Sequence, residues 1–357
     1  MKRLTALFVS TALAAVCSAP LLSSSAQADT KKDFNVCWSI YVGWMPWGYM
    51  KDHGIIKKWA DKYGISIDVT QINDYVESIN QYTAGGFDAC AMTNMDALTI
   101  PAAGGVDSTA LIVGDFSNGN DGVVLKGKDK LTDIKGQNVN LVELSVSHYL
   151  LARALETVGM KESDVTVVNT SDADMVAAYS TPDVTATVTW NPLLSTITQM
   201  PDSHLVFDSS KIPGEIIDLM VANTQTLKDN PDFGKALVGA WYETMALMSD
   251  PGPDGQAARE AMATASGTDL FGFESQLETT RMFYTPQAAL GLTRDAELKA
   301  TMQHVAEFSY EHGLLGDGAP NAGFIGVETP TGIYGSDSNV KLRFDPTYMQ
   351  MAADKQL

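Results

Sequence analysis

Short apolar runs alternate with amphipathic segments along the first two thirds of the chain. That alternation limits the fold more than any other feature of the sequence. "FNVCWSIYV" (34–42) has the unbroken apolar character of a strand buried on both faces. "IIKKWADKYG" follows, with Ile55, Ile56, Trp59 and Tyr63 at helical spacing and Gly64 as a stop. "ISIDVTQ" (65–71), "FDACAMT" (87–93) and "STALIVGD" (108–115) repeat the strand pattern, separated by helical "DYVESINQYTAGG" and "NMDALTIPAAGG". After residue 136 the same grammar resumes. Strands at "QNVNLVEL", "DVTVVNT", "DVTATVTW" and "SHLVFDS" are separated by helices at "SVSHYLLARALETVG", "DADMVAAYS" and "NPLLSTITQM". Strands alternating with helices of about 10–15 residues predict mostly parallel sheets with crossover helices.

The two blocks are divided by "DFSNGNDGVVLKGKDKLTDIKG", rich in Gly, Asn and Asp. The chain is therefore expected to be α/β and two-lobed. One lobe takes 29–117 and 213–357, the other 118–212, with crossings near 115–122 and 209–215. "EIIDLMVANTQTL" reads as a further strand, the chain beyond about 230 as mainly helical, and the tail as weakly patterned. Solutes of such sheets sit beyond the carboxyl ends of the strands, so a cleft between the lobes is the expected site.

Residues 1–28 read as a separate object. Lys2 and Arg3 precede the apolar "LTALFVSTALAAVCSAPLL", and "AQA" places small residues before Asp29. This is the pattern of a secretory signal peptide cleaved after Ala28. Val16 before Cys17 disfavours a lipoprotein. Beyond residue 28 nothing is apolar over the roughly 20 residues a bilayer span needs. With Lys2 and Arg3 removed, 22 basic residues face 43 acidic ones, a formal net charge of −21. That balance excludes a nucleic-acid partner, which requires clustered Lys and Arg. Two cysteines in a mature chain this long make no disulfide framework. Cys37 and Cys90 read first as buried thiols, and as one bridge if their strands are neighbours.

Catalytic patterns are absent: there is no G-x-S-x-G, no H-E-x-x-H and no histidine pair at i, i+4. No catalytic residue, metal or cofactor is expected. "GVVLKGKD" (122–129) matches G-x-x-x-x-G-K, but Asp129 stands where a magnesium-binding Ser or Thr belongs. It reads as strand plus turn.

What remains is a set of strand-end loops. The first carries Trp44 and Trp47, the second Asp74 and Tyr75, the third Thr93, Asn94 and Asp96. In the second block Glu143, Ser147 and His148 follow one strand and Trp190 another. Each has a plain structural role available: Asp74 and Ser147 as helix caps, His148 at the surface, a tryptophan in the core. Gathered at one cleft, they make a binding site. None of these loops carries Lys or Arg. Carboxylates with indole faces suit a small cation, at about 0.5–2 kcal/mol per indole contact. A carboxylate also takes two parallel N–H bonds from a guanidinium-like fork. Urea has the same planar shape without the charge.

The segments "WMPWGYMKDHGIIKKWADKYG", "NDYVESINQYTAGGFDACAMTNMDAL", "DFSNGNDGVV" and "DIKGQNVNLVELSVSHYLLARAL" resemble the solute-binding proteins of nitrate/sulfonate/taurine-type ABC importers. They are most similar to the branch encoded beside urea carboxylase. The resemblance spans about residues 33–250. It implies a type II periplasmic binding fold: two hinged lobes, non-enzymatic, monomeric, delivering solute to a membrane permease and its ATPase. Carboxylases of that neighbourhood are thought to act on guanidine, which makes guanidinium the expected solute, ahead of urea. Trp44 and Trp47 would wall the pocket and Trp190 cover it. Asp74 and Glu143 would supply carboxylates from opposite lobes. Thr93, Asn94, Ser147 and His148 would orient the solute. The alternatives are a sulfonate- or nitrate-type anion, a thiamine-precursor pyrimidine clamped between indoles, or an exported hydrolase using a cleft carboxylate.

Overall fold

The computed structural model describes residues 31–316 and 318–357. The leader expected over 1–28 lies outside the described residues.

Among the described residues, fourteen strands form two sheets. In chain order they are β1 (Asp33–Trp38), β2 (Ser66–Gln71), β3 (Ala89–Thr93), β4 (Ser108–Ser117), β5 (Asp121–Lys126), β6 (Asn138–Leu141) and β7 (Thr166–Asn169). Then follow β8 (Ala186–Trp190), β9 (Ser203–Asp208), β10 (Ile217–Asn223), β11 (Thr280–Met282), β12 (Gly326–Thr329), β13 (Gly332–Tyr334) and β14 (Val340–Phe344). The larger sheet runs β13-β12-β14-β4-β10-β3-β1-β2, with β11 added to β4. The smaller runs β7-β6-β8-β5-β9. The α/β, two-lobed architecture is as expected, but the sheets are mixed and not mostly parallel, because β5 and β10 each run antiparallel to both neighbours.

The pairings explain the strand compositions. β1 lies between β2 and β3, parallel to both, and β3 is buried at every residue. β10 runs antiparallel between β3 and β4. β4 is almost wholly buried, as its run of Ala110, Leu111, Ile112 and Val113 requires. Cys37 and Cys90 are register partners on β1 and β3. Their Cα atoms are 4.5 Å apart and the two are joined as a disulfide, so the first reading as free thiols is corrected by the adjacency of their strands.

The stretch after β1, expected to be a loop, is helical. A 3-10 turn over Val42–Trp44 leads into a helix over Met45–Asp52. Pro46 sits in its first turn, where a missing N–H costs nothing. The weakly patterned tail supplies β14, while β12 and β13 interrupt the stretch read as mainly helical; together they extend the larger sheet beside β4.

The chain leaves the larger sheet between Ser117 and Asp121 and returns between Asp208 and Ile217. The two crossings are hydrogen-bonded together. Ser117 and Ser209 hydroxyls meet at 2.6 Å, the Gly119 N–H donates to Ser209 Oγ at 2.8 Å, and the Ser117 N–H donates to the Ile216 carbonyl at 3.0 Å. No described helix is long and apolar enough to cross a membrane.

Candidate functional site

A small cavity lined by buried side chains lies between the sheets, beyond the carboxyl ends of β1, β2, β3, β6 and β8. From the larger sheet come Tyr41 and Trp44 after β1, Tyr75 after β2, Thr93 at the end of β3, and Ile216 with Asp218 at the start of β10. From the smaller sheet come Asp121, the first residue of β5, Val146 after β6, and Trp190, the last residue of β8. All of these side chains are buried. The space open to atom centres is about 20 Å³. A sphere of that volume has a radius of about 1.7 Å, room for one or two water-sized bodies.

Strand register brings the polar groups together. Asp121 is the cross-strand partner of Trp190 on β8. Asp218 is the partner of Thr93 on one side and of Asp115, in β4, on the other. Three rings line the wall in sequence: Tyr75 lies 5.6 Å from Trp44 and 5.6 Å edge-on from Trp190. Tyr41 meets Trp44 edge-on at 5.1 Å and donates its phenol to Asp115 Oδ1 at 2.9 Å.

Four carboxyls are therefore buried in one neighbourhood: Asp96, Asp115, Asp121 and Asp218. Burial raises all of them. Asp121 and Asp115 are pushed to about 7, Asp96 to about 6, and Asp218 well above the ordinary carboxylate range, with Asp115 adding its charge at Asp218. Hydroxyl donors lower but do not cancel the effect: Ser117 on Asp121 at 2.5 Å, Tyr75 and Thr93 on Asp96 at 2.6 and 2.8 Å. Asp115 Oδ2, Asp218 Oδ2, Asp96 Oδ1 and Trp44 Nε1 are buried without a hydrogen-bond partner. Among the described residues, no Lys or Arg lines the cavity.

Of the residues singled out in the sequence, Trp44, Tyr75, Thr93 and Trp190 line this cavity. Asp96 stands behind Tyr75, bonded to its phenol. The other six do not line it. Trp47 belongs to the core: the helix it enters turns it away, and it stacks on Trp241 at 5.1 Å. Asp74 caps the helix Tyr75–Thr83, accepting from the Glu77 N–H at 2.9 Å and from Ser171 of the smaller lobe at 3.3 Å. Asn94 holds the second crossing, donating to the Glu215 carbonyl and accepting from the Ile217 N–H, both at 3.0 Å. Glu143 is exposed to solvent. Ser147 is buried one residue past Val146, outside the lining. His148 faces the opposite way, with Nε2 2.9 Å from Glu162. The carboxylates at the cavity are Asp121 and Asp218, which the sequence reading had passed over along with Tyr41, Val146, Ile216 and Asp115. The missed signal was an aspartate inside a continuous apolar run, as in "LIVGDF" and "IIDLMV".

Away from the cavity, His148, Glu162 and His312 bring three potential ligand atoms within 4.8 Å of one another. The Leu144 N–H donates to His148 Nδ1 at 3.1 Å, so the ring proton sits on Nε2 and points at Glu162. That tautomer makes a hydrogen-bonded acid–base cluster and leaves no lone pair on Nε2 for a metal.

The fold and the cavity define a two-lobed protein of the periplasmic-binding architecture. Residues 53–251 match the NMT1/THI5-like family, and the chain belongs to it. A Brucella abortus (strain 2308) sequence described as a binding protein is 24% identical over 259 residues, covering 71% of this chain and 79% of that one. The alkanesulfonate-binding protein SsuA from Xanthomonas axonopodis pv. citri, bound to MOPS, shares the fold at a TM-score of 0.65 and 16% identity, over 81% of this chain and 96% of that one. The nitrate-binding protein NrtA from Synechocystis PCC 6803 superposes at 0.64 and 12% identity, over 91% and 89%.

Proposed function

We propose that the chain is the periplasmic solute-binding component of an ABC importer, exported by a leader over 1–28, and that its solute is a small planar cation of the guanidinium class. Residues 29–117 with 213–357 and residues 118–212 would be the two lobes that close on it. The observation carrying this reading is that Asp121 and Asp218 reach one small cavity from opposite lobes, with no basic side chain among the described residues of its lining.

Size and charge support it together. In guanidinium the nitrogens stand roughly 1.3 Å from the central carbon, so the centres of its carbon and nitrogens fit a space of about 1.7 Å radius. Its N–H edges match carboxylates, and its faces match the rings of Trp44, Tyr75 and Trp190. The structural relatives bind a sulfonate buffer and nitrate, as their names state. Here an anion would meet no cationic side chain, and Asp121 and Asp218 could accommodate it only by keeping their protons. Taurine, with two carbons between sulfur and nitrogen, is also too long for the space.

One observation favours a second reading. Trp44 Nε1 is a buried donor without an acceptor, and guanidinium offers none. Urea would bring a carbonyl oxygen to it. A thermal-shift series with guanidinium, methylguanidinium, urea, taurine, nitrate and a pyrimidine separates these readings, since a solute at a hundredfold excess over Kd adds about 2.7 kcal/mol of stability. Guanidinium is expected to give the largest shift. A larger shift with urea moves the reading to the neutral amide, and a larger one with taurine or nitrate overturns it. Release of product from any of them would replace binding by hydrolysis.

A further inference from the structure

Asp115 and Asp218 are direct neighbours on β4 and β10, and both are buried. Each keeps one oxygen, Oδ2, enclosed without a donor. The groups that face the pair from the surrounding elements are Tyr41 after β1, Asp121 on β5, and Tyr284 beyond β11, whose phenol feels the charge of Asp115. The Tyr41 phenol satisfies Asp115 Oδ1, but no side-chain cation neutralises the pair. Two like charges at this separation in a dry site cannot both ionise without a counter-charge, so a proton supplies it in the absence of a cation.

We propose that Asp115 and Asp218 share one proton when the cleft is shut with nothing bound, and that a captured cation displaces it, exchanging one proton for one positive solute. The charge balances: the protonated pair plus cation gives the ionised pair with cation, and the proton leaves to buffer. Asp218 meets the solute and Asp115 acts through it, as a positioning residue that sets its protonation. This rests on the cationic reading of the site and adds its regulation: protons and solute compete. It also gives a reason for Gly43, since a Cβ there would stand 2.5 Å from Asp115 Oδ2 and crowd the oxygen that shares the proton.

The test is calorimetry of guanidinium chloride binding to the mature protein at pH 6.5, in two buffers of different ionisation enthalpy. The difference in apparent enthalpy counts the protons released. The expected result is a release on the order of one proton, with Kd weakening toward tenfold per unit as pH falls below about 7. Asp115→Asn keeps the oxygen that accepts from Tyr41 and supplies an amide donor to Asp218. It should retain binding while the release falls to the part that Asp121, itself pushed to about 7, gives up. Guanidinium binding with no proton release, or with the same release in Asp115→Asn, overturns the proton exchange and leaves the cationic site standing. Failure of guanidinium to bind while urea does removes both.

Discussion

The hydroxyl of Ser117 donates to Asp121 Oδ2 at 2.5 Å while it also meets Ser209 Oγ at 2.6 Å. Ser117 ends the strand leaving the larger sheet, Ser209 lies on the returning crossing, and Asp121 faces the cavity. One side chain thus ties both crossings to the carboxylate offered by the smaller lobe. If the lobes close on the proposed solute, closure and contact would be joined at this point, because rotating the lobes would re-aim Asp121. Ser117→Ala removes a buried donor to a carboxylate, an interaction worth about 1.5–3 kcal/mol when one partner is charged. We expect solute affinity to fall by roughly tenfold to a hundredfold. Calorimetry checks this, and small-angle scattering should show a smaller compaction on adding solute.

The two tryptophans of "GWMPWG" have opposite duties, and substitution should separate them. Trp47 is buried against Trp241, with Trp38 packed on Gly48 one residue further on. Trp47→Ala should cost about 3–5 kcal/mol of stability, as emptying a large aromatic site does. Any loss of affinity in that variant would follow the loss of folded protein. Trp44→Leu keeps apolar volume but removes an indole face from the cavity. It should weaken a cationic solute about threefold to thirtyfold, the range of a cation–π contact, with a smaller fall in Tm than Trp47→Ala. Denaturant melts set beside Kd values for the two proteins decide between them. Equal effects on both quantities would mean that Trp44 is packing alone.

Much of the frame was legible because hydrophobic periodicity is a local signal. Runs such as "STALIVGD" and "DVTATVTW" carry their burial in their composition, and their alternation with helices leaves few topologies. The site was legible only where it hangs on strand ends. Trp44, Tyr75, Thr93 and Trp190 stand at or just beyond the last residue of a parallel strand, where solutes bind in such sheets. Asp121 and Asp218 escaped because each begins a strand that runs antiparallel to its neighbours, so its amino end faces the cleft. Spacing alone does not give the direction of β10. Asp74 and Glu143 were the reverse case: acidic residues in the right loops, one spent on a helix cap and the other turned to solvent. A carboxylate in a polar loop has many uses, whereas one inside "IIDLMV" has to be explained by a partner.

Asp121 and Asp218 should be unequal to Asp96 when each is changed to asparagine. The first two face the cavity, and loss of either charge removes a counter-ion from a cation in a dry site. We expect guanidinium affinity to fall at least a hundredfold in Asp121→Asn and Asp218→Asn, in line with about 3–5 kcal/mol for breaking a buried ion pair. Asp96 is bonded to Tyr75 and Thr93 and would act by holding the Tyr75 ring. Asp96→Asn should move affinity by less than tenfold. Urea offers a contrast within the same variants, since a neutral solute loses only hydrogen-bond energy when a carboxylate becomes an amide. If guanidinium and urea lose affinity equally, charge is not what the cavity reads.

The same carboxyls fix how stability depends on pH. Burial holds Asp115 and Asp121 near 7 and Asp218 well above the ordinary carboxylate range in the folded chain, against about 3.9 for an unfolded aspartate. Between those values the folded protein binds more protons than the unfolded one, so stability falls as pH rises. The contribution is complete below about pH 4 and is lost as pH passes through 7. Without solute, Tm should therefore drop from pH 6 to pH 8, by more than the general titration of a strongly acidic surface gives. Replacing Asp115 and Asp218 together by asparagine should flatten that slope. Saturating guanidinium should flatten it as well, because the cation takes over the charge that the protons neutralised. Scanning calorimetry over this range tests the sign directly: a Tm that rises with pH in the absence of solute would mean that these carboxyls are ionised and paired, in a way the buried oxygens of Asp115 and Asp218 do not allow.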